Sequence, residues 1–577
     1  MTDWIGYHWL AERYGVSPVQ AFRTDSAIAK ARSTVREGGY VHEYYLPGAR
    51  PADSLAGHLA FAFKHEGLHL EFLARLFDAV PVPDLEAWVA AEPTGQYARR
   101  AGFFYEYLTG HQLAFPGVAA GNYVTALDAD AYMTASQSVN NPRWRVRDNL
   151  PGSRDYCPLV LRTARVRQAE QYDCAQQLAD LEAEFGADLL QRSVVWLTIK
   201  ESRASFAIEH EEQHVDRVRR FAAVMEQRCG SSDGPFSEPL SEAALGELQS
   251  QILGARATRY GVRRSPVFVG EVDGFTEMVH YIAPHWDDAP TLLAGLRRFA
   301  NRTVGASALL RAAVLSFGFV YIHPMSDGNG RISRFLINDV LRRDKAIPAP
   351  FILPVSATIT SSVVNRRGYD QVLELFSRPL MRKYAQAWRF GAEQLAEDGV
   401  RYNLQFDAWQ DALPAWRYPD MTDHVEYLAE VVQVTIEQEM HKEAGYLRNL
   451  RMARERVKQV IEGPDADIDR IIRSVRENGG QLSSKLLKEF APLADEAVSR
   501  EVVAVIQAVF AGGVLGSESN NPLLESENAL ANMASSDGWA GRSDDKAWST
   551  SFVFGLASLL AGVFLGAVLS VVMVAKG

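Results

Sequence analysis

Along most of the chain, apolar positions recur every three to four residues, so the elements the pattern predicts are mainly helices. Residues 306–321 (ASALLRAAVLSFGFVY) are apolar and free of proline, which predicts a buried helix ending near His323. Residues 331–342 (RISRFLINDVLR) resume helical spacing, with Ile332, Phe335, Leu336 and Val340 on one face. Further helices are predicted at 54–77, 96–109 and 290–301, one long helix over 188–227, and two amphipathic ones within 425–462. Residues 467–510 divide into three shorter helices at Asn478-Gly479-Gly480 and near Pro492, an arrangement resembling winged-helix modules. Strand-favouring runs stand at 265–270 and 279–282 and predict one β-hairpin. With no alternation of strands and helices, the fold class is mainly α, a helical bundle with a small β-hairpin.

The end of the chain changes the pattern. Residues 516–549 are rich in Ser, Asn, Asp and Gly and read as a disordered linker. Residues 552–575 carry no charge and exceed the ~20 apolar residues that span a hydrocarbon core, so a C-terminal transmembrane helix is expected. Arg542 and Lys546 before it, against Lys576 after it, favour a single-pass membrane anchor with the bulk of the chain facing the cytoplasm. Gly562 and Gly566 form a GxxxG through which a homodimer could pack. The expected domains are then 1–187, N-terminal helical; 188–395, the core; 396–515, C-terminal helical and winged-helix-like; 516–549, linker; and 550–575, membrane helix.

A chain of 577 residues is too long for one core, which fits that division. A formal charge of -11 argues against a nucleic-acid partner held by a basic surface. Cys157, Cys174 and Cys229 have no ligand-like spacing and read as reduced structural thiols. The opening residues lack the basic and apolar regions of a signal peptide. Arg143, Arg145 and Arg147, in a polar loop, could meet an acidic partner or lie solvated.

The chemistry concentrates between the two apolar runs, in His323-Pro324-Met325-Ser326-Asp327-Gly328-Asn329-Gly330-Arg331-Ile332-Ser333-Arg334. Two glycines around an asparagine allow positive φ and turn successive N–H groups toward one point, ahead of a helix N-terminus that favours an anion. Around this phosphate cradle stand an imidazole, a carboxylate able to hold a hard cation, and two arginines on one helix face. This dodecapeptide resembles the signature of the Fic family, H-x-F-x-[DE]-G-N-G-R-x-x-R, and departs from it only at Met325, where an apolar residue is expected to pack inward.

The resemblance implies a Fic-type bundle whose hairpin is a flap that receives the target by strand addition. It also implies transfer of AMP from ATP to a Tyr, Thr or Ser hydroxyl of a protein substrate. His323 would be the general base, Asp327 would hold Mg²⁺, and Gly328, Asn329 and Gly330 would bind the α-phosphate, with the Asn329 side-chain amide able to help. Arg331 and Arg334 would take the β- and γ-phosphates, and Tyr369 is a candidate for the base pocket. Many Fic proteins carry an inhibitory helix with the pattern [ST]-x-x-x-E-[GN]. Ser205 to Glu209 match it and His210 does not, so Glu209 is expected to occupy Arg334. Ser33-Thr34-Val35-Arg36-Glu37-Gly38 also matches, far upstream.

Other readings stay open: transfer of another nucleotide or of phosphocholine, removal of AMP with Glu209 orienting a water, or an inactive interaction module. His210-Glu211-Glu212-Gln213-His214 satisfies HExxH, the zinc-metalloprotease helix, though without an evident third ligand.

Overall fold

Apolar side chains gather into three clusters, and the largest forms around the helix Ala308–Ile322, nearly every residue of which is buried. The computed structural model describes residues 2–211, 213–254, 261–273, 276–511 and 570–571. The central helix packs on Asn329–Arg343, Thr422–Val434 and Ala289–Arg302. A core helix with no polar face must be surrounded in this way. Tyr156 reaches in from the N-terminal third and packs against Gly295 and Gly318, where any Cβ would collide with it. The same core continues through Leu404 and Phe406 to Ala444. It thus runs past the expected division at 395/396, which falls within an antiparallel hairpin, Trp388–Leu395 with Arg401–Phe406.

The second cluster lies in the N-terminal third. Its helices accompany a four-stranded sheet in the order Trp4–Ile5, Thr24–Ile28, Tyr40–Tyr45, Ser33–Glu37, whose central pair is parallel. The predicted 54–77 helix is two helices, Leu55–His65 and Leu70–Ala79, separated where Gly67 takes a φ of 84°. Gln96–Thr109 has the predicted bounds. Arg143 pairs with Glu106, and Arg145 donates to the carbonyls of Val118, Ala119 and Gly121, so these two arginines hold their own loop together. All three cysteines are buried and free. Arg23 links this region to the core through Asp420 and Asp423.

The third cluster, Ala453 to Val509, joins the end of His441–Val457 to the helices Asp465–Glu477, Ser484–Glu489 and Glu496–Ala511. Among the described residues this unit contains no strand, and so no wing.

The expected hairpin is present as Phe268–Asp273 and Thr276–Ile282, in antiparallel register. The expected transmembrane helix is not supported. No helix among the described residues is long and apolar enough to cross a membrane. The two described residues of that run, Ser570 and Val571, form a short strand paired with Glu271 and Gly270 of the hairpin. An apolar run rich in valine, phenylalanine and glycine fits a strand as well as a helix, and hydropathy alone does not separate them. The membrane anchor and the cytoplasm-facing placement rested on that helix and are withdrawn with it. The rest of 552–575, including Gly562 and Gly566, and the 516–549 linker lie outside the described residues.

Candidate active site

His323 ends the central helix in the left-handed conformation, φ 48° and ψ 54°. Its Nδ1 lies 3.2 Å from the Val320 carbonyl, a contact that places the proton on Nδ1 and leaves the Nε2 lone pair free. Burial, helped by the charge of Arg263, pushes this imidazole down to about 4. A neutral ring at neutral pH is a competent base.

The loop that follows is held by its own side chains. Met325 is fully buried. Its N–H donates to Asn329 Oδ1 at 2.9 Å, and Asn329 Nδ2 donates to its carbonyl at 2.8 Å. The Asn329 amide thus ties the turn together through its oxygen and one of its two N–H donors. Gln249, buried on the helix Glu242–Leu253, donates to the Asp327 carbonyl at 2.8 Å and accepts from the Gly261 N–H at 2.6 Å. Gly328, at φ 84°, turns the chain into the helix Asn329–Arg343. Its N–H donates to Asp327 Oδ1 at 2.6 Å, whereas those of Asn329 and Gly330 have no acceptor among the described residues. Two open N–H groups at the start of a four-turn helix suit an anion.

A carboxylate is already there. Glu209 caps the helix Ala187–Ile208 and lies against Gly330, where a Cβ would strike its Oε1. Oε1 accepts from Arg334 Nη2 at 2.6 Å, and Oε2 is ion-paired with Arg331 Nε at 2.9 Å. Burial alone would raise this carboxyl, but the two guanidiniums outweigh it and hold Glu209 below the usual carboxylate range. Ser205, one turn earlier and fully buried, accepts from Arg334 Nε at its hydroxyl (2.6 Å) and from Nη2 at its carbonyl (3.0 Å). Arg331 also donates to Glu211 at 2.8 Å and to Asp327 at 2.9 Å, with its guanidinium 5.1 Å above the Phe206 ring. His323, Asp327, Arg331, Arg334, Ser205 and Glu209 thus converge on one cleft.

The helix predicted over 188–227 stops at Ile208, and a second helix begins at Val215. His210 takes a φ of 57°. The sixth position of the inhibitory pattern therefore demands a left-handed backbone, which glycine and asparagine adopt easily and histidine tolerates. The break also removes the zinc reading. His210 and His214 do not share a helix face, and no metal-ligand cluster occurs among the described residues. Ser33–Glu37 is an exposed strand, so the upstream match to the pattern is not a helix at all. Tyr369 is buried between Phe317 and Tyr427 and packs as core.

The Fic/DOC family model matches residues 239–341, which contain the flap, the loop and the helix that follows it. The chain carries a Fic domain. Among solved structures the chain is similar to a Fic family protein from Desulfovibrio desulfuricans G20, at 19% identity and a TM-score of 0.28, over 62% of this chain and 89% of that one. A Fic domain containing signaling protein from Bacteroides thetaiotaomicron VPI-5482 is similar at 17% identity and a TM-score of 0.30, over 46% of this chain and 97% of that one. Fic domains generally transfer nucleotides or other groups onto proteins.

Asp327 is the one carboxylate in the Fic loop, and its side chain is half exposed. One such carboxylate would suit Mg²⁺ only if water and phosphate oxygens completed its coordination. Three residues of the Fic site escaped the sequence reading. Glu211 appeared only within the HExxH match, although a second acid two residues after Glu209 was a visible signal. Gln249 and Arg263 carry no signal, because nothing in a sequence marks a polar residue that folding will bury against a distant loop.

Proposed function

We propose that this Fic domain transfers AMP from ATP to a Tyr, Thr or Ser hydroxyl of a protein, and that Glu209 represses the transfer until it is displaced. The observation that carries this reading is the position of the Glu209 carboxylate, over Gly330 and between Arg331 and Arg334. An anion built into the chain occupies the spot where helix N-terminus and guanidiniums would gather phosphate oxygens, so the site is made for such a ligand and is closed by a mimic of it.

With Glu209 swung out, Arg334 is free to hold an outer phosphate, Arg331, still paired with Glu211 and Asp327, offers the Nε that Glu209 vacates, and the Asn329 and Gly330 N–H groups face the α-phosphate, where charge grows. His323 Nε2 takes the proton of the acceptor hydroxyl. The hydroxyl oxygen bonds to the α-phosphorus, the bond from that phosphorus to the α,β-bridging oxygen breaks, and pyrophosphate departs with the electron pair. Mg²⁺ on Asp327 would neutralise charge on the phosphates. The flap would offer a target segment the edge of its second strand, Thr276–Ile282, since Ser570 and Val571 pair with the first.

The test uses ATP labelled at either end. The Glu209→Gly protein is expected to retain label from the α-phosphate and none from the γ-phosphate, and Glu209→Gly combined with His323→Ala to retain neither. Retention of γ-label, or α-label undiminished without His323, would overturn the assignment.

A further inference from the structure

The segment before the flap contains a buried arginine that the transfer chemistry does not use. Arg263 is 1% exposed. Its Nε donates to the His323 carbonyl at 2.7 Å, Nη1 to the Ser265 carbonyl at 2.9 Å, and Nη2 to the carbonyls of Pro284 at 2.7 Å and Ile322 at 3.4 Å. Ser265 precedes the first flap strand and Pro284 follows the second. One guanidinium therefore ties both roots of the flap to the residue that ends the central helix. Its main chain adds a fifth link, from the Arg263 N–H to the Pro324 carbonyl at 2.9 Å.

From this arrangement we infer that Arg263 is a positioning residue, which sets the His323 imidazole relative to a target strand seated on the flap. The inference rests on the function proposed above. Its physical basis is that His323 holds a left-handed backbone, unfavourable for a residue with a Cβ, and such a conformation persists only where its surroundings over-determine it. The carbonyls of Ile322 and His323 also belong to a helix C-terminus with no intrahelical donors. Arg263 supplies those donors and bonds the flap with the same planar group, so hinge and base move as one body. A lysine ammonium cannot imitate a fork that reaches three segments at once. The charged groups facing the His323 ring are Arg263, from the segment before the flap, and Glu209, from the end of its helix.

The experiment uses the full chain with Arg263→Lys and Arg263→Met, each in the Glu209→Gly background, and three measurements. Affinity for a fluorescent ATP analogue is expected to stay within a few-fold, because Arg263 does not face the phosphate cradle. The transfer rate is expected to fall roughly 100-fold in both variants, with no rescue by lysine. The third measurement is the pH dependence of His323 carbethoxylation by diethyl pyrocarbonate, followed by peptide mass, which reports on the ring without any transfer. The midpoint should rise by about one unit in the methionine variant, where burial still holds it down, and stay near its starting value in the lysine variant, which keeps the charge. Transfer restored by lysine, or a methionine variant with unchanged rate and midpoint, would overturn the inference and reduce Arg263 to packing. Should the methionine variant fail to fold, absence of rescue by lysine with nucleotide affinity intact decides the matter. If the Glu209→Gly parent transfers nothing, the function falls, and the midpoints still report whether Arg263 governs His323.

Discussion

Replacing Glu209 by glycine is the perturbation whose size the structure fixes best. The carboxylate makes two contacts, 2.6 Å to Arg334 and 2.9 Å to Arg331. The two arginines lose unequally. Arg331 retains Glu211 and Asp327, so its charge stays balanced. Arg334 retains only the hydroxyl and carbonyl of Ser205, both neutral. The change that matters is therefore one charge-assisted hydrogen bond, about 1.5–3 kcal/mol. Since ATP must displace that bond before its γ-phosphate reaches Arg334, removing it should raise productive binding about 10- to 150-fold, at tenfold per 1.4 kcal/mol. The assay is the initial rate of self-labelling with α-labelled ATP and Mg²⁺ at subsaturating nucleotide, wild type against Glu209→Gly. Without nucleotide, the variant should also unfold earlier in urea, because buried Arg334 then loses its direct ion pair and keeps only the neighbouring charge of Glu201. A second variant, Glu209→Gln, keeps the shape and loses the charge and should fall between the two. Equal rates in wild type and Glu209→Gly would refute the reasoning outright, since an anion that competes with phosphate cannot be removed without effect.

The remaining predictions come from neighbouring contacts. His210→Gly relieves a left-handed backbone worth about 1–2 kcal/mol, less the flexibility glycine adds to the unfolded chain, so it should seat Glu209 more firmly and lower wild-type labelling a few-fold; increased labelling would contradict this. Because His323 is pushed down to about 4, Glu209→Gly should show a flat rate from pH 5.5 to 8, and an acid limb near 6.5 would mean an ordinary imidazole. Glu209 is held low, so its hold on the arginines is complete above the ordinary carboxylate range and lost only as pH falls through the depressed value; wild type should stay repressed across the same window. Asp327→Asn in the Glu209→Gly background should raise the Mg²⁺ concentration needed for half-maximal labelling at least tenfold, of the order expected for losing the only protein carboxylate on the ion. Met325→Ala empties a fully buried site and should cost about 2–5 kcal/mol in urea unfolding.

Much of the site was legible because its chemistry is local. The twelve residues from His323 to Arg334 announce a turn, an anion site and a base within one stretch, and the long apolar run before them could only be a buried helix. Legibility failed where meaning depends on partners far along the chain. Nothing in Val262-Arg263-Arg264 distinguishes the arginine that is buried from its exposed neighbour. The break after Ile208 has no sequence signal, because no proline or glycine interrupts the stretch; the carboxylates that follow it, Glu209 and Glu211, pair with arginines more than a hundred residues away. The N-terminal sheet was missed because its strands are short and Ser33–Glu37 is exposed on both faces, so no alternation of apolar and polar side chains develops. The membrane helix was a reading of hydropathy alone, which registers an apolar run without specifying its backbone.

The reciprocal amide pair between Asn329 and Met325 has a consequence for how fast the cleft responds. Because the signature asparagine staples its own loop, the turn acquires its shape when the chain folds and not when ligand arrives. A nucleotide entering such a cleft has no segment to organise and one carboxylate to dislodge. The delay before a first turnover then belongs to Glu209 alone, and a stopped-flow trace of nucleotide binding should reduce to one step when that side chain is gone.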